Sequence, residues 1–137
     1  MRCLIVEDND FAREGLKYFL ADHAEIETAV NGEEAVERFR RALAGEAPYH
    51  LVLLDIIMPE MDGQQALKLI RQAEKDNGVT QERKAVIIMT TALNSPENME
   101  EALWDGDCTD YLVKPIVRAD LMAMLRRYHL LADGERA

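Results

Sequence analysis

Leu51-Val52-Leu53-Leu54 sets four apolar residues in a row and ends them on Asp55. A run this short, bounded by turn signals, predicts a strand. Nothing polar alternates through it, so both faces must be covered, as they are in a parallel sheet flanked by helices. Asp55 then stands at the carboxyl end of the strand, the edge where open α/β sheets gather ligands and chemistry. Pro59 and Asp62-Gly63 break regular structure just beyond it and leave a loop at its side. Taken alone, an aspartate in this place is most simply the start of a turn. The rest of the chain decides whether it is more.

The same pattern recurs. Cys3-Leu4-Ile5-Val6 predicts a first buried strand, stopped by Glu7-Asp8. Asn9 or Asp10 caps a helix whose apolar face is Ala12, Leu16, Phe19 and Leu20. Ile26, Thr28 and Val30 alternate as a second strand, and Asn31-Gly32 turns the chain. Ala35, Val36, Phe39, Ala42 and Leu43 stripe the second helix; Ala66, Leu67, Ile70 and Ala73 stripe the third. Ala85 to Met89 is a fourth strand that ends at Thr90-Thr91. Ser95-Pro96-Glu97 opens a fourth helix carrying Met99, Ala102 and Leu103, and Gly106 ends it. Tyr111-Leu112-Val113 is a fifth strand stopped by Lys114-Pro115. Val117, Leu121, Met124, Leu125 and Tyr128 form the apolar face of a fifth helix. Alternation of this kind predicts an α/β fold, a doubly wound five-stranded parallel sheet with helices on both faces. One domain over residues 1–131 accounts for all of it, with a polar, fraying tail at 132–137.

Composition excludes several functions. The chain has 137 residues, enough for one real core, and a formal net charge of -10. A field of that sign repels nucleic-acid phosphates and anionic membranes, so direct nucleic-acid binding by this chain is not expected. The two cysteines, Cys3 and Cys108, lack metal-ligand neighbours and are too few for a disulfide framework. Cys3 falls in an apolar run and reads as core; Cys108 follows Gly106-Asp107 and is expected at the surface. Glu7 and Asp8 cut the first apolar run short of a signal peptide, and no stretch approaches the ~18 apolar residues of a membrane span. A cytoplasmic location is the expectation.

If the strands are parallel, four polar features share one edge: Glu7-Asp8, Asp55, Thr90-Thr91 and Lys114. Each has a plain reading. Acidic pairs cap helices, a Thr at a strand end is structural, and a Lys before Pro is a solvated charge. Their arrival together at strand ends is what those readings explain poorly. Clustered carboxylates repel one another unless a cation neutralises them. Oxygen donors with no His or Cys nearby favour a hard ion such as Mg²⁺, which takes one or two carboxylates plus water and phosphate oxygens. A carboxylate beside such an ion can act as a nucleophile on phosphorus. Metal and lysine then stabilise charge on the transferring phosphoryl oxygens, to which a threonine hydroxyl could also donate.

On these residues the chain resembles the receiver domains of two-component response regulators, the CheY-like family. The resemblance rests on VEDN at 6–9, LLDIIMPEMDG at 53–63, MTTA at 89–92 and DYLVKPI at 110–116, and it covers essentially the whole chain. It implies a CheY-like sheet of strand order 2-1-3-4-5. It implies that Asp55 is the phosphoacceptor, that Asp8 and Asp55 hold Mg²⁺ (or Mn²⁺) directly, that Glu7 acts mainly through water, and that the Ile57 backbone carbonyl completes the protein ligands. Thr91 is the implied switch hydroxyl, Tyr111 the aromatic switch, Lys114 the phosphoryl contact, and the bond to Pro115 is expected to be cis. The implied donor is a phosphohistidine on a sensor histidine kinase or a histidine phosphotransfer protein. The domain catalyses its own phosphorylation and dephosphorylation, and the face of the fourth helix, fifth strand and fifth helix then changes partners to control an output protein.

Ile57 and Leu93 occupy the positions that, in the family, flank the path of the water that removes the phosphoryl group. Both are apolar and cannot orient a water, so slow dephosphorylation is expected. Arg118, Arg126 and Arg127 on the fifth helix face Glu97, Glu100, Glu101 and Asp105 on the fourth in charge. A homodimer through that face and a plain solvated surface both fit this pattern. Trp104 reads as a partner contact or as a side chain packed on a neighbouring helix. Three rival functions fit the residues less well. A haloacid-dehalogenase-type phosphatase carries a second Asp two residues after its nucleophile, where this chain has Ile57; a flavodoxin-like nucleotide binder needs a Gly-rich loop after the first strand. An unphosphorylated interaction module of the same fold would not need every acidic, hydroxyl and lysine position filled. A stand-alone receiver and a piece of a longer regulator both fit the chain's length.

Overall fold

The computed structural model describes residues 1–45, 47–58, 61–92, 100–101 and 106–131. Five parallel strands form one sheet: β1 (Arg2–Val6), β2 (Glu25–Ala29), β3 (Leu51–Asp55), β4 (Val86–Thr91) and β5 (Asp110–Val113), in the order β2-β1-β3-β4-β5. The helices are α1 (Asp10–Leu20), α2 (Gly32–Ala44), α3 (Gly63–Asp76) and α4 (Arg118–Arg127), the last being the fifth helix of the sequence reading. A 3₁₀ turn at Gln81–Arg83 leads into β4. Most of the fourth expected helix, including Ser95, Pro96, Met99, Leu103 and Trp104, lies outside the described residues, as do Leu93, Pro59 and the tail at 132–137.

Alternate residues of each strand face opposite layers. Leu4, Val6, Val52, Leu54, Ile87 and Met89 meet α2 and α3 through Ala35, Val36, Phe39, Leu67 and Ile70. Cys3, Ile5, Leu51, Leu53 and Ile88 meet α1 and α4 through Leu16, Leu20, Leu121, Met122 and Leu125. Every residue of β3 is buried, because β3 is central and covered on both faces. The edge strand β2 is only half-buried over most of its length.

Helix starts follow local chemistry. Asn9, Asn31 and Asp62 cap α1, α2 and α3, each accepting a bond from a backbone N–H three residues on: Ala12, Glu34 and Gln65. Gly63 opens α3 directly against β3. A Cβ there would fall 2.2 Å from the Asp55 carbonyl oxygen, so only glycine lets α3 start this close. The Gly63 N–H donates to the Ile56 carbonyl at 2.8 Å, which folds the loop back beneath Asp55.

Cys108 is buried, not at the surface. Asp107, at φ 62°, turns the chain inward ahead of it, and Arg71 Nε holds the Asp107 carbonyl at 2.8 Å. Val117 does not join the inward face of the last helix. It is the residue before the first turn of α4 and stands exposed, while Leu121, Met124 and Leu125 carry the packing.

Candidate functional site

Parallel pairing puts every strand's carboxyl end on one edge of the sheet. Glu7 follows β1, its N–H bonded to the Ala29 carbonyl at 3.1 Å. Asp55 ends β3 and pairs in register with Thr90 on β4. Glu7, Asp8 and Asp55 bring one carboxylate oxygen each to within 4.8 Å of one another. Glu7 is only 1% exposed and Asp55 5%, whereas Asp8 is open to solvent. Two buried acids and one exposed acid therefore face a common point.

Lys114, the residue after β5, closes the site. Its Nζ lies 2.8 Å from Glu7 Oε1 and 3.1 Å from Asp55 Oδ2. The backbone delivers it there: the Lys114 N–H donates to the Thr91 carbonyl at 2.7 Å, and the Lys114–Pro115 bond is cis. Thr91 is buried at the end of β4, and its hydroxyl donates to the Ala92 carbonyl at 3.4 Å. The Ile57 N–H donates to Asp55 Oδ1 at 3.2 Å, while its side chain is 63% exposed beside the site. Tyr111 sits on β5, paired with Met89, and its half-buried ring packs against the core on the α2/α3 side.

Burial pushes the Asp55 carboxyl up to about 6; the Glu7 carboxylate adds to this and Lys114 opposes it. Burial acts in the same direction on Glu7, but Lys114 and the Asn9 N–H outweigh it and hold Glu7 below the usual carboxylate range. Burial also works against the Lys114 ammonium, which the two acids hold above the ordinary lysine value. One lysine thus offsets one of two buried negative charges. The excess charge, all on hard oxygen donors, fits a divalent cation of the Mg²⁺ type.

One residue at this edge escaped the sequence reading. Arg13, in the second turn of α1, donates from Nη1 to the Glu7 carbonyl at 3.0 Å and from Nη2 to Asp10 Oδ1 at 2.5 Å. Its signal was its spacing, three residues after Asp10, but an arginine so placed reads equally well as a solvated helix charge. Among the described helices none is long and apolar enough to cross a membrane.

Comparison with known proteins agrees with this geometry. The profile of the family described as the response regulator receiver domain matches residues 3–126. The regulatory protein VanRB of Enterococcus faecalis is 35% identical over 99% of this chain and 57% of its own length. The chain spans about half the length of the curated relatives it matches. The receiver domain of the Saccharomyces cerevisiae response regulator Ssk1, solved with the histidine phosphotransfer protein Ypd1, is 34% identical with a TM-score of 0.77, over 98% of this chain and 94% of that one. A receiver domain of a Pseudomonas aeruginosa sensor histidine kinase, solved with magnesium in its active-site cleft, is 30% identical with a TM-score of 0.76, over 93% of this chain and 95% of that one. With the fold, the acidic cluster and the profile in agreement, the chain belongs to the response regulator receiver domain family of two-component signalling.

Proposed function

We propose that this domain accepts a phosphoryl group on Asp55 from a phosphohistidine and returns it to water, catalysing both steps on itself. The observation that carries the reading is Asp55 itself: a buried carboxylate within 4.8 Å of two others and bonded to one lysine. In the transfer, an Asp55 carboxylate oxygen bonds to phosphorus as the donor's P–N bond breaks. The imidazole nitrogen leaves with the electron pair and takes a proton from solvent. Asp8 and Asp55 would hold Mg²⁺ directly, with the Ile57 carbonyl as a further ligand and Glu7 acting mainly through water. When bound, the ion neutralises charge on the phosphoryl oxygens.

Lys114 has two roles in sequence. Before transfer it ties down both buried acids. After transfer Asp55 presents phosphoryl oxygens to the same ammonium, and Thr91 offers a hydroxyl from the next strand. Tyr111, on β5 three residues before Lys114, is placed to pass the change to the output face. That face serves an output protein, or a second copy of the chain.

The donor must approach along the rim of this edge. An apolar groove of about 610 Å³ opens there between α1 and the segment after Lys114, lined by Phe11, Ala12, Phe19, Pro115 and Ile116. A sensor kinase or histidine phosphotransfer protein would seat its helix in it, and the Ssk1–Ypd1 complex supports a donor of this class.

The test is intact-mass measurement after incubation with Mg²⁺ and an acyl phosphate. Wild type is expected to gain one phosphoryl mass and Asp55→Asn none. Equal labelling of the two would overturn the assignment of Asp55.

A further inference from the structure

We infer that Arg13 is a positioning residue for the acidic cluster: it fixes the peptide that joins Glu7 to Asp8, and Asp10 cancels its charge. The inference rests on the receiver reading of that cluster. Arg13 Nη1 holds the Glu7 carbonyl at 3.0 Å, and its side chain is only 14% exposed, well covered for an arginine. That carbonyl lies in the peptide plane whose two ends are the Glu7 and Asp8 Cα atoms. Fixing this plane fixes one of the two peptide planes that flank each Cα, and so restrains the directions in which both side chains leave the backbone. The Glu7 carboxylate has further anchors in Lys114 and the Asn9 N–H. Asp8 stands on an exposed bend, so the aim of its carboxylate follows the backbone that carries it.

Charge pulls the other way. A bare guanidinium beside three acids would repel a divalent cation. Here Asp10 Oδ1 sits 2.5 Å from Arg13 Nη2, so the pair as a whole is neutral and geometry is what it contributes. The sign of a single measurement separates the two effects. Removing Arg13 frees the Asp10 charge, which attracts Mg²⁺, and frees the Glu7–Asp8 peptide, which loosens the site. If charge governs, Arg13→Ala binds Mg²⁺ more tightly; if positioning governs, it binds more weakly.

Calorimetric titration of wild type, Arg13→Ala and Arg13→Lys with Mg²⁺ tests this, with thermal melts in chelator as the folding control. Arg13→Ala is expected to weaken Mg²⁺ binding about 5- to 10-fold. That is at or below the ~10- to 100-fold typical of partners that touch a ligating atom itself, because Arg13 acts through the backbone. Arg13→Lys, which keeps one donor and the charge, should recover part of the loss and stands in if Arg13→Ala does not fold. Unchanged or tighter binding in the variants, with wild type binding normally, overturns the role of Arg13 alone. A wild type that binds no Mg²⁺ overturns the receiver reading of the cluster, and this inference with it.

Discussion

Asp55 carries two demands that oppose each other. As the proposed nucleophile it must be ionised, yet it is buried beside Glu7, and its carboxyl is pushed up to about 6. A carboxylate that binds its proton more tightly in the folded state than in the unfolded one stabilises the fold at low pH. That contribution is fully present below the unfolded value near 4 and is lost as pH rises through 6. Asp55→Asn is neutral at every pH, so in metal-free buffer it should be more stable than wild type at pH 7.5, by roughly 1–3 kcal/mol. The difference should shrink toward zero by about pH 4. Urea denaturation in chelator at the two pH values checks this; a constant difference would mean that ionised Asp55 is not what costs stability. A second residue-scale prediction concerns Ile57, whose apolar side chain is exposed two residues after Asp55. Replacing Ile57 by Asn and Leu93 by Glu would supply groups able to orient a water. Loss of the phosphoryl group, followed by intact mass over time, should then speed up by about 3- to 10-fold. No acceleration would sink the idea that these side chains slow the reaction.

At the scale of elements, the site depends on how closely α3 starts beneath β3. Gly63→Ala puts a methyl group where the Asp55 carbonyl already is, and the neighbouring Ile56 Cα is 2.7 Å from the same point. Both are backbone atoms and cannot swing aside as a flexible side chain can. The helix must back away, at a cost of about 1–3 kcal/mol, read as a lower urea midpoint at unchanged slope. Because Asp55 moves with its carbonyl, labelling by an acyl phosphate should slow as well. A variant that loses stability but labels normally would show that the site tolerates the shift. The elements were legible for a related reason. Buried strands leave short apolar runs and helix starts leave capping residues: Asn9 caps α1 as expected, while Asn31 and Asp62, legible in the sequence only as turn signals, cap α2 and α3. The element ends were harder. Val30 continues the alternation of β2 in the sequence, but pairing stops at Ala29 and leaves it exposed.

Across the whole molecule, what the sequence conveyed was set by range. The edge of the sheet collects groups from residues 7 to 114, and the parallel pairing alone was enough to bring Glu7, Asp8, Asp55 and Lys114 together. Charges that pair across loops were less visible. Arg71 and Glu74 look like a solvated pair on α3, yet both are buried: Arg71 holds the Ala85 and Asp107 carbonyls, and Glu74 accepts the Ala85 N–H. No local pattern announces such a clamp, because its partners lie on loops whose course only the fold decides. The same long-range assembly should make the stability of the domain sensitive to a bound ion. The acids come from the ends of β1 and β3, and Lys114 from just after β5, so a cation held there favours only the folded chain. At a hundred times its dissociation constant, Mg²⁺ should add about 2.7 kcal/mol. For a domain of this size that is a rise in Tm of roughly 5–10 °C, removed by chelator. A chain of net charge -10 also gains from simple screening, so the comparison must be made against NaCl of equal ionic strength. Asp8→Ala should lose the Mg²⁺ increment while keeping the response to NaCl. An equal rise in wild type and Asp8→Ala would assign the effect to screening and take Asp8 out of the proposed metal site.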